Sequence, residues 1–133
     1  DTSSAARDCD NDLARTSGDL ALLRRNLELI SQLGEARGIQ VVLTTQPHAD
    51  CAGDSRKCQQ ETRHLDRSNK AIRELVQGSA KSALLVDLEA AMAGVSPELY
   101  SDTVHMNAAG RALKAEHIGQ AIWAHWNVFH SVE

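Results

Sequence analysis

Only two stretches of this chain read as β-strands, and both are short. Ile39-Gln40-Val41-Val42-Leu43-Thr44 follows Gly38, and Ala83-Leu84-Leu85-Val86-Asp87 comes a few residues after Gly78. Each is a nearly continuous apolar run, which predicts a strand covered on both faces. Between them Leu65, Ile72, Leu75 and Val76 recur at helical spacing, so a helix is predicted over about Gln59–Gln77, stopped by Gly78. A strand–helix–strand unit of this kind pairs its strands in parallel through a right-handed crossover. Two strands fall short of the usual five-stranded sheet and leave an edge and a face open to water. The expectation is therefore an incomplete domain rather than a small one. The first residue is Asp1 and not Met, which fits an upstream segment removed or left out.

The remaining elements come from the same patterns. A first helix is predicted from Gly18 to about Arg37, with Ser17 as N-cap, Gly38 as stop, and Leu20, Leu23, Leu27, Ile30 and Leu33 as one apolar stripe. A short helix is predicted around Glu89–Ala93, and Pro97 opens the loop after it. The last helix runs from the N-cap Asn107 to about Trp126, with Ile118, Ala121, Ile122 and Trp126 inward. Asp1–Gly18 and Gln46–Lys57 read as loops from their Asp, Ser, Thr, Gly and Pro content. Open α/β sheets place their sites at the carboxyl edge of the strands. That points to Cys9–Ser17, Gln46–Cys58 and Ser101–Asn107.

Composition narrows the function class. The chain has 133 residues, 42% apolar and 24% charged, as expected of one globular domain. Fourteen Lys and Arg against 18 Asp and Glu give a net charge of −4, which argues against non-specific nucleic-acid binding. No apolar run approaches the roughly 18 residues of a membrane span. There is no internal repeat and no low-complexity segment.

The segment with chemistry is Ser101-Asp102-Thr103-Val104-His105-Met106-Asn107-Ala108-Ala109-Gly110. An Asp three positions from a His can hold the imidazole in one tautomer and stabilise its charged form. The His can then take a proton from a hydroxyl nucleophile. The plainer reading of Asp102 is a surface-loop acid near a helix N-terminus, where negative charge is favoured.

This segment resembles the last motif block of the SGNH, or GDSL-type, serine hydrolases: Asp-x-x-His, a short polar step, a Gly and a helix. Asp102, His105 and Gly110 match it. Val41–Pro47, Ser68-Asn69-Lys70-Ala71-Ile72 and Leu85-Val86-Asp87-Leu88 also look like that family. Cys9-Asp10-Asn11-Asp12 resembles its Gly-x-Asn-Asp block, with Cys9 where the family has Gly. The resemblance covers about Cys9 to Ile122. It implies an α/β, three-layer α/β/α flavodoxin-like fold with a parallel sheet, and hydrolysis of carboxylic esters through an acyl-enzyme. It assigns His105 as general base and acid, Asp102 as its orienting partner and Asn11 as an oxyanion-hole donor. No cofactor and no metal is implied.

The family's first block, Gly-Asp-Ser on the first strand, has no counterpart. Only ten residues precede Asn11, and none forms a strand-like run. The chain therefore corresponds to the C-terminal two-thirds of such a domain. The expected partners are a small-molecule, lipid or carbohydrate ester and a companion chain or N-terminal segment that completes the sheet and supplies the serine. A Gly53-Asp54-Ser55 does occur, but after the Asn block and between Cys51 and Cys58. It reads as a polar loop tip. The competing function is a non-catalytic interaction domain that keeps the fold without the nucleophile.

Three cysteines leave one odd. Cys51 and Cys58 enclose a six-residue loop, and a disulfide is the simplest account, which would imply an extracellular or periplasmic setting. His48, Cys51, Cys58 and His64 are an alternative zinc set, giving a metal-stapled binding module, and free thiols in a cytoplasmic protein are the third option. Cys9 is free or bonds to the upstream part. His117, His125 and His130 read as polar surface or helix-end residues. Trp123 and Trp126, one turn apart, read as core or as an interface with the absent segment.

Overall fold

A computed structural model describes residues 3–51, 53 and 55–130, with side chains described over 20–51, 53 and 55–125. Its elements are α1 (Ser3–Ala36), β1 (Val42–Thr44), α2 (Arg56–Gln77), β2 (Leu84–Val86), α3 (Leu88–Ala91), a 3-10 turn (Pro97–Leu99) and α4 (Ala108–His130). The protein is thus mixed α/β. β1 and β2 pair in parallel, with Val42 opposite Leu84, Leu43 opposite Leu85 and Thr44 opposite Val86. Among the described residues this two-stranded sheet is the whole sheet.

Strand alternation sends Leu43 to one face, where it meets Leu27 of α1 and Ile72, Leu75 and Val76 of α2, with Ala80 and Ala83 beside them. α1 and α2 therefore pack against the same cluster. α2 lies as its apolar spacing predicts, with Leu75 buried and Leu65, Ile72 and Val76 half-buried. It starts at Arg56, capped by Ser55, whose side chain accepts from the Cys58 backbone N–H. α4 packs against β2 and α3, with Ile118, Ala121 and Ile122 half-buried. Trp126 lies outside the described side chains, and Trp123 is exposed.

α1 departs from expectation in two ways. It begins at Ser3, so from Ser3 on the loop expected over Asp1–Gly18, with the cap expected at Ser17, is helix instead. Its inward face is also not the expected stripe. Ser31 and Gly34 are buried and Leu20, Leu23 and Leu27 half-buried, whereas Ile30 and Leu33 are 52% and 60% exposed. Gly34 explains the rotation. A Cβ there would sit 2.4 Å from Val41 Cγ2 and 3.0 Å from the Ile39 carbonyl oxygen, so the helix meets the segment leading into β1 backbone to side chain. Small residues allow that approach and apolar counting overlooks them. Gly38, at φ +66°, ends the helix as expected, and Ile39 N–H returns to the Gly34 carbonyl.

Candidate functional site

The carboxyl ends of β1 and β2 carry a polar frame. Thr45, fully buried, donates its hydroxyl to Asp87 Oδ1 (2.8 Å) and accepts from the Glu89 backbone N–H (2.9 Å). Arg73 of α2 grips Asp87 with two bonds of 2.7 Å and also donates to Glu89. Arg73 holds the Asp87 carboxyl down at about 2, against the desolvation that would raise it. A carboxylate acidified by folding contributes stability above its unfolded pKa, near 4, and loses it as pH falls through about 2. The urea midpoint should therefore drop as pH falls below about 4, and Arg73→Met should flatten that drop; an unchanged acid limb in R73M would contradict the pairing.

Asn69 then fixes the loop after β1. It is 1% exposed, and its side chain bonds both backbone groups of Gln46: Oδ1 accepts from the N–H (2.8 Å) and Nδ2 donates to the carbonyl (2.9 Å). Gln46 reaches across to the Val104 carbonyl, and Ala49 N–H donates to the Thr103 carbonyl (2.9 Å). Residues 46–49 and the loop of 101–107 are tied together in this way. The second loop is seated at its far end by buried Met106 and by Asn107, whose Oδ1 caps α4 at Gly110 N–H (3.0 Å). A Cβ at Gly110 would meet the Leu99 carbonyl oxygen at 2.4 Å, so a side chain there would push the loop off the helix.

Within this frame Asp102 and His105 are joined. His105 Nδ1 lies 2.7 Å from Asp102 Oδ2 and 3.0 Å from Oδ1. Asp102 Oδ1 also accepts from the backbone N–H groups of Val104 (2.9 Å) and His105 (2.8 Å). Those two amides, with the imidazole third, hold the Asp102 carboxyl down at about 2. Asp102 is therefore a carboxylate throughout the neutral range, and it leaves the imidazole's other nitrogen free to work. The pair is open to solvent, His105 at 75% and Asp102 at 57% exposure.

An open cavity of about 280 Å³ is lined by Asp102, His105, Val104, Ser55, Cys58 and Glu61, among others. Ser55 belongs to the 46–58 segment, which was expected to meet Ser101–Asn107 at this edge. Its hydroxyl is engaged as the α2 cap, which is a structural task. Ser55→Ala should cost about 1 kcal/mol through loss of that cap, read as a lower urea midpoint. A midpoint equal to wild type would show that the α2 cap is dispensable.

Cys51 and Cys58 form a disulfide with Cα atoms 5.7 Å apart, which fastens the loop after β1 to the first turn of α2. Both thiols are thereby removed from the zinc set of His48, Cys51, Cys58 and His64. His48 turns instead toward Asp66 Oδ1 (3.1 Å) and Glu89 Oε1 (3.4 Å). Among the described residues these three could share a cation, but Glu89 is already engaged by Arg73. The side chains of Cys9, Asn11 and Asp12 lie outside the described residues. Of the three segments expected to converge, the structure thus brings two together.

Comparison of the chain with protein-family models, with curated proteins and with solved structures finds no match.

Proposed function

We propose that this chain is the acid–base part of a serine ester hydrolase of the SGNH, or GDSL, type. The observation that supports it is the Asp102–His105 pair: one imidazole nitrogen is held at 2.7 Å by an ionised carboxylate, and the ring lines an open cavity. A serine hydroxyl from a segment outside this chain attacks the ester carbonyl carbon while His105 Nε2 takes its proton. The resulting oxyanion is held by donors that include the Asn11 amide, each such donor being worth roughly 3 kcal/mol in serine hydrolases. Collapse expels the alcohol, which recovers the proton from His105, and leaves an acyl-serine. Water then repeats the cycle with His105 as base, and the acid departs. Asp102 keeps the ring oriented and balances its transient charge.

The substrate is a small-molecule, lipid or carbohydrate ester. The Cys51–Cys58 bond fits an extracellular or periplasmic setting, where disulfides persist. No helix among the described residues is long and apolar enough to cross a membrane. Hydrolysis of p-nitrophenyl acetate by the chain together with its companion segment, and none by the chain alone, is the expected result. No turnover by any combination of folded components would favour a non-catalytic interaction domain.

A further inference from the structure

Cys58 lines the cavity of His105, and Cys51 lines a second open cavity of about 450 Å³. Part of the second lining is apolar, with Met92, Val95 and Pro97. The rest carries the carboxyl groups of Asp50, Asp66 and Glu89, and no Lys or Arg among the described residues lines it. Three ligand-type atoms converge there. His48 Nε2 lies 3.1 Å from Asp66 Oδ1 and 3.4 Å from Glu89 Oε1, and all three atoms lie within 4.8 Å of one another. They come from the loop after β1, from α2 and from α3, so the fold and not a local turn assembles them.

The surroundings of these atoms prepare them as ligands. His48 Nδ1 is 3.3 Å from the Ala49 carbonyl oxygen. A carbonyl only accepts, which puts a proton on Nδ1 and turns the Nε2 lone pair toward two carboxylate oxygens. That meeting calls for a positive charge between the three atoms. Arg73 engages Glu89 through Oε2 alone, and Oε1 is the oxygen that faces His48. A His held at its other nitrogen and a carboxylate held at its other oxygen are the supports that orient ligands in protein metal sites. Charge points the same way. Asp66, Asp87 and Glu89 bring three carboxylates to this frame against the one guanidinium of Arg73, so a dication would neutralise it. An independent observation marks the cavity as one with a polar occupant. Tyr100 lines it, and the Tyr100 hydroxyl is buried without a hydrogen-bond partner. Burial of an unpaired hydroxyl is costly, so this group needs a polar atom brought in from outside.

We propose that His48, Asp66 and Glu89 bind one zinc ion, with its remaining coordination position open to the cavity. Imidazole nitrogen suits zinc, whereas calcium and magnesium seek six or more oxygen ligands and find too few here. Bonds of about 2.0–2.2 Å to nitrogen and oxygen put neighbouring ligands of a tetrahedral zinc about 3.4 Å apart. The two His48 separations, 3.1 and 3.4 Å, fit that edge. The ion fastens the loop after β1 to α2 and α3. Through Ala49, which donates to the Thr103 carbonyl, it steadies the loop that carries His105. The site does not rest on the esterase reading.

The whole oxidised chain, stripped with EDTA and dialysed at mildly alkaline pH, is titrated with Zn²⁺ by calorimetry and with Co²⁺ by visible absorption. One ion per chain is expected, with the bands of a tetrahedral nitrogen–oxygen site, no thiolate charge-transfer band, and a higher Tm with Zn²⁺ present. His48→Gln and Asp66→Asn should each weaken binding at least about a hundredfold with circular dichroism unchanged. Asp66 is 57% exposed, so D66N reports on binding even where H48Q fails to fold. His64→Gln and His105→Gln should bind as wild type. Zinc uptake unaffected by H48Q and D66N, or lost in H105Q, overturns the site, and a thiolate band does so by moving the ion to Cys9. No uptake, with His48 charged in its NMR spectrum, also overturns it, since a proton would then hold the place given to zinc.

Discussion

Replacing Asp102 by Asn should lower ester turnover about 10⁴-fold with the fold intact, the loss known for the equivalent change in serine-protease triads. The reason is specific to the geometry here. An Asn at 102 keeps an acceptor oxygen for the Val104 and His105 backbone N–H groups, so the turn survives. What changes is the partner of His105 Nδ1, now 2.7 Å from a carboxylate oxygen. An amide group can hold the ring in the opposite tautomer and offers no charge to balance the imidazolium. His105→Ala should lose at least as much. Because Asp102 is exposed, neither change should shift the urea midpoint appreciably. A D102N protein with near wild-type turnover, assayed with its companion, would remove Asp102 from the mechanism.

The second large effect falls on stability. Asn69→Ala should destabilise the protein by about 2–4 kcal/mol, since it strips partners from two backbone groups and each part-buried polar group left unpaired costs about 1–3 kcal/mol. Asn69→Asp should be no better. It keeps an acceptor for the Gln46 N–H but turns a charge toward the Gln46 carbonyl. Urea denaturation measures both. An N69A midpoint equal to wild type would show that the Gln46 loop finds other partners. The same variant should weaken turnover, because Gln46 carries the link to Val104 beside His105.

Much of the fold was legible because burial on a strand or helix imposes a period. The two apolar runs became β1 and β2, and Leu65, Ile72, Leu75 and Val76 turned inward on α2. What failed did so for physical reasons. The inward face of α1 is set by a backbone approach at Gly34, and a residue with no side chain carries no hydropathy signal. The start of α1 at Ser3 was obscured by Asp, Ser and Thr, which favour caps and turns by propensity.

The Asp102–His105 pair was legible because its partners are three residues apart and the turn between them is closed by Asp102 itself. The frame behind it was not. Thr45, Arg73, Asp87 and Glu89 come from three elements, and only the pairing of β1 with β2 brings them together. Asn69 did leave a trace. It stands between Leu65 and Ile72 on the apolar face of α2, where a polar side chain needs a partner.

In the proposed reaction His105 serves a serine outside this chain. Labelling the companion complex with a fluorophosphonate and locating the adduct by peptide mass spectrometry tests it directly. One modified serine on the companion is expected, with labelling lost in His105→Ala. An adduct on Ser55, or no adduct in a folded complex, would contradict it.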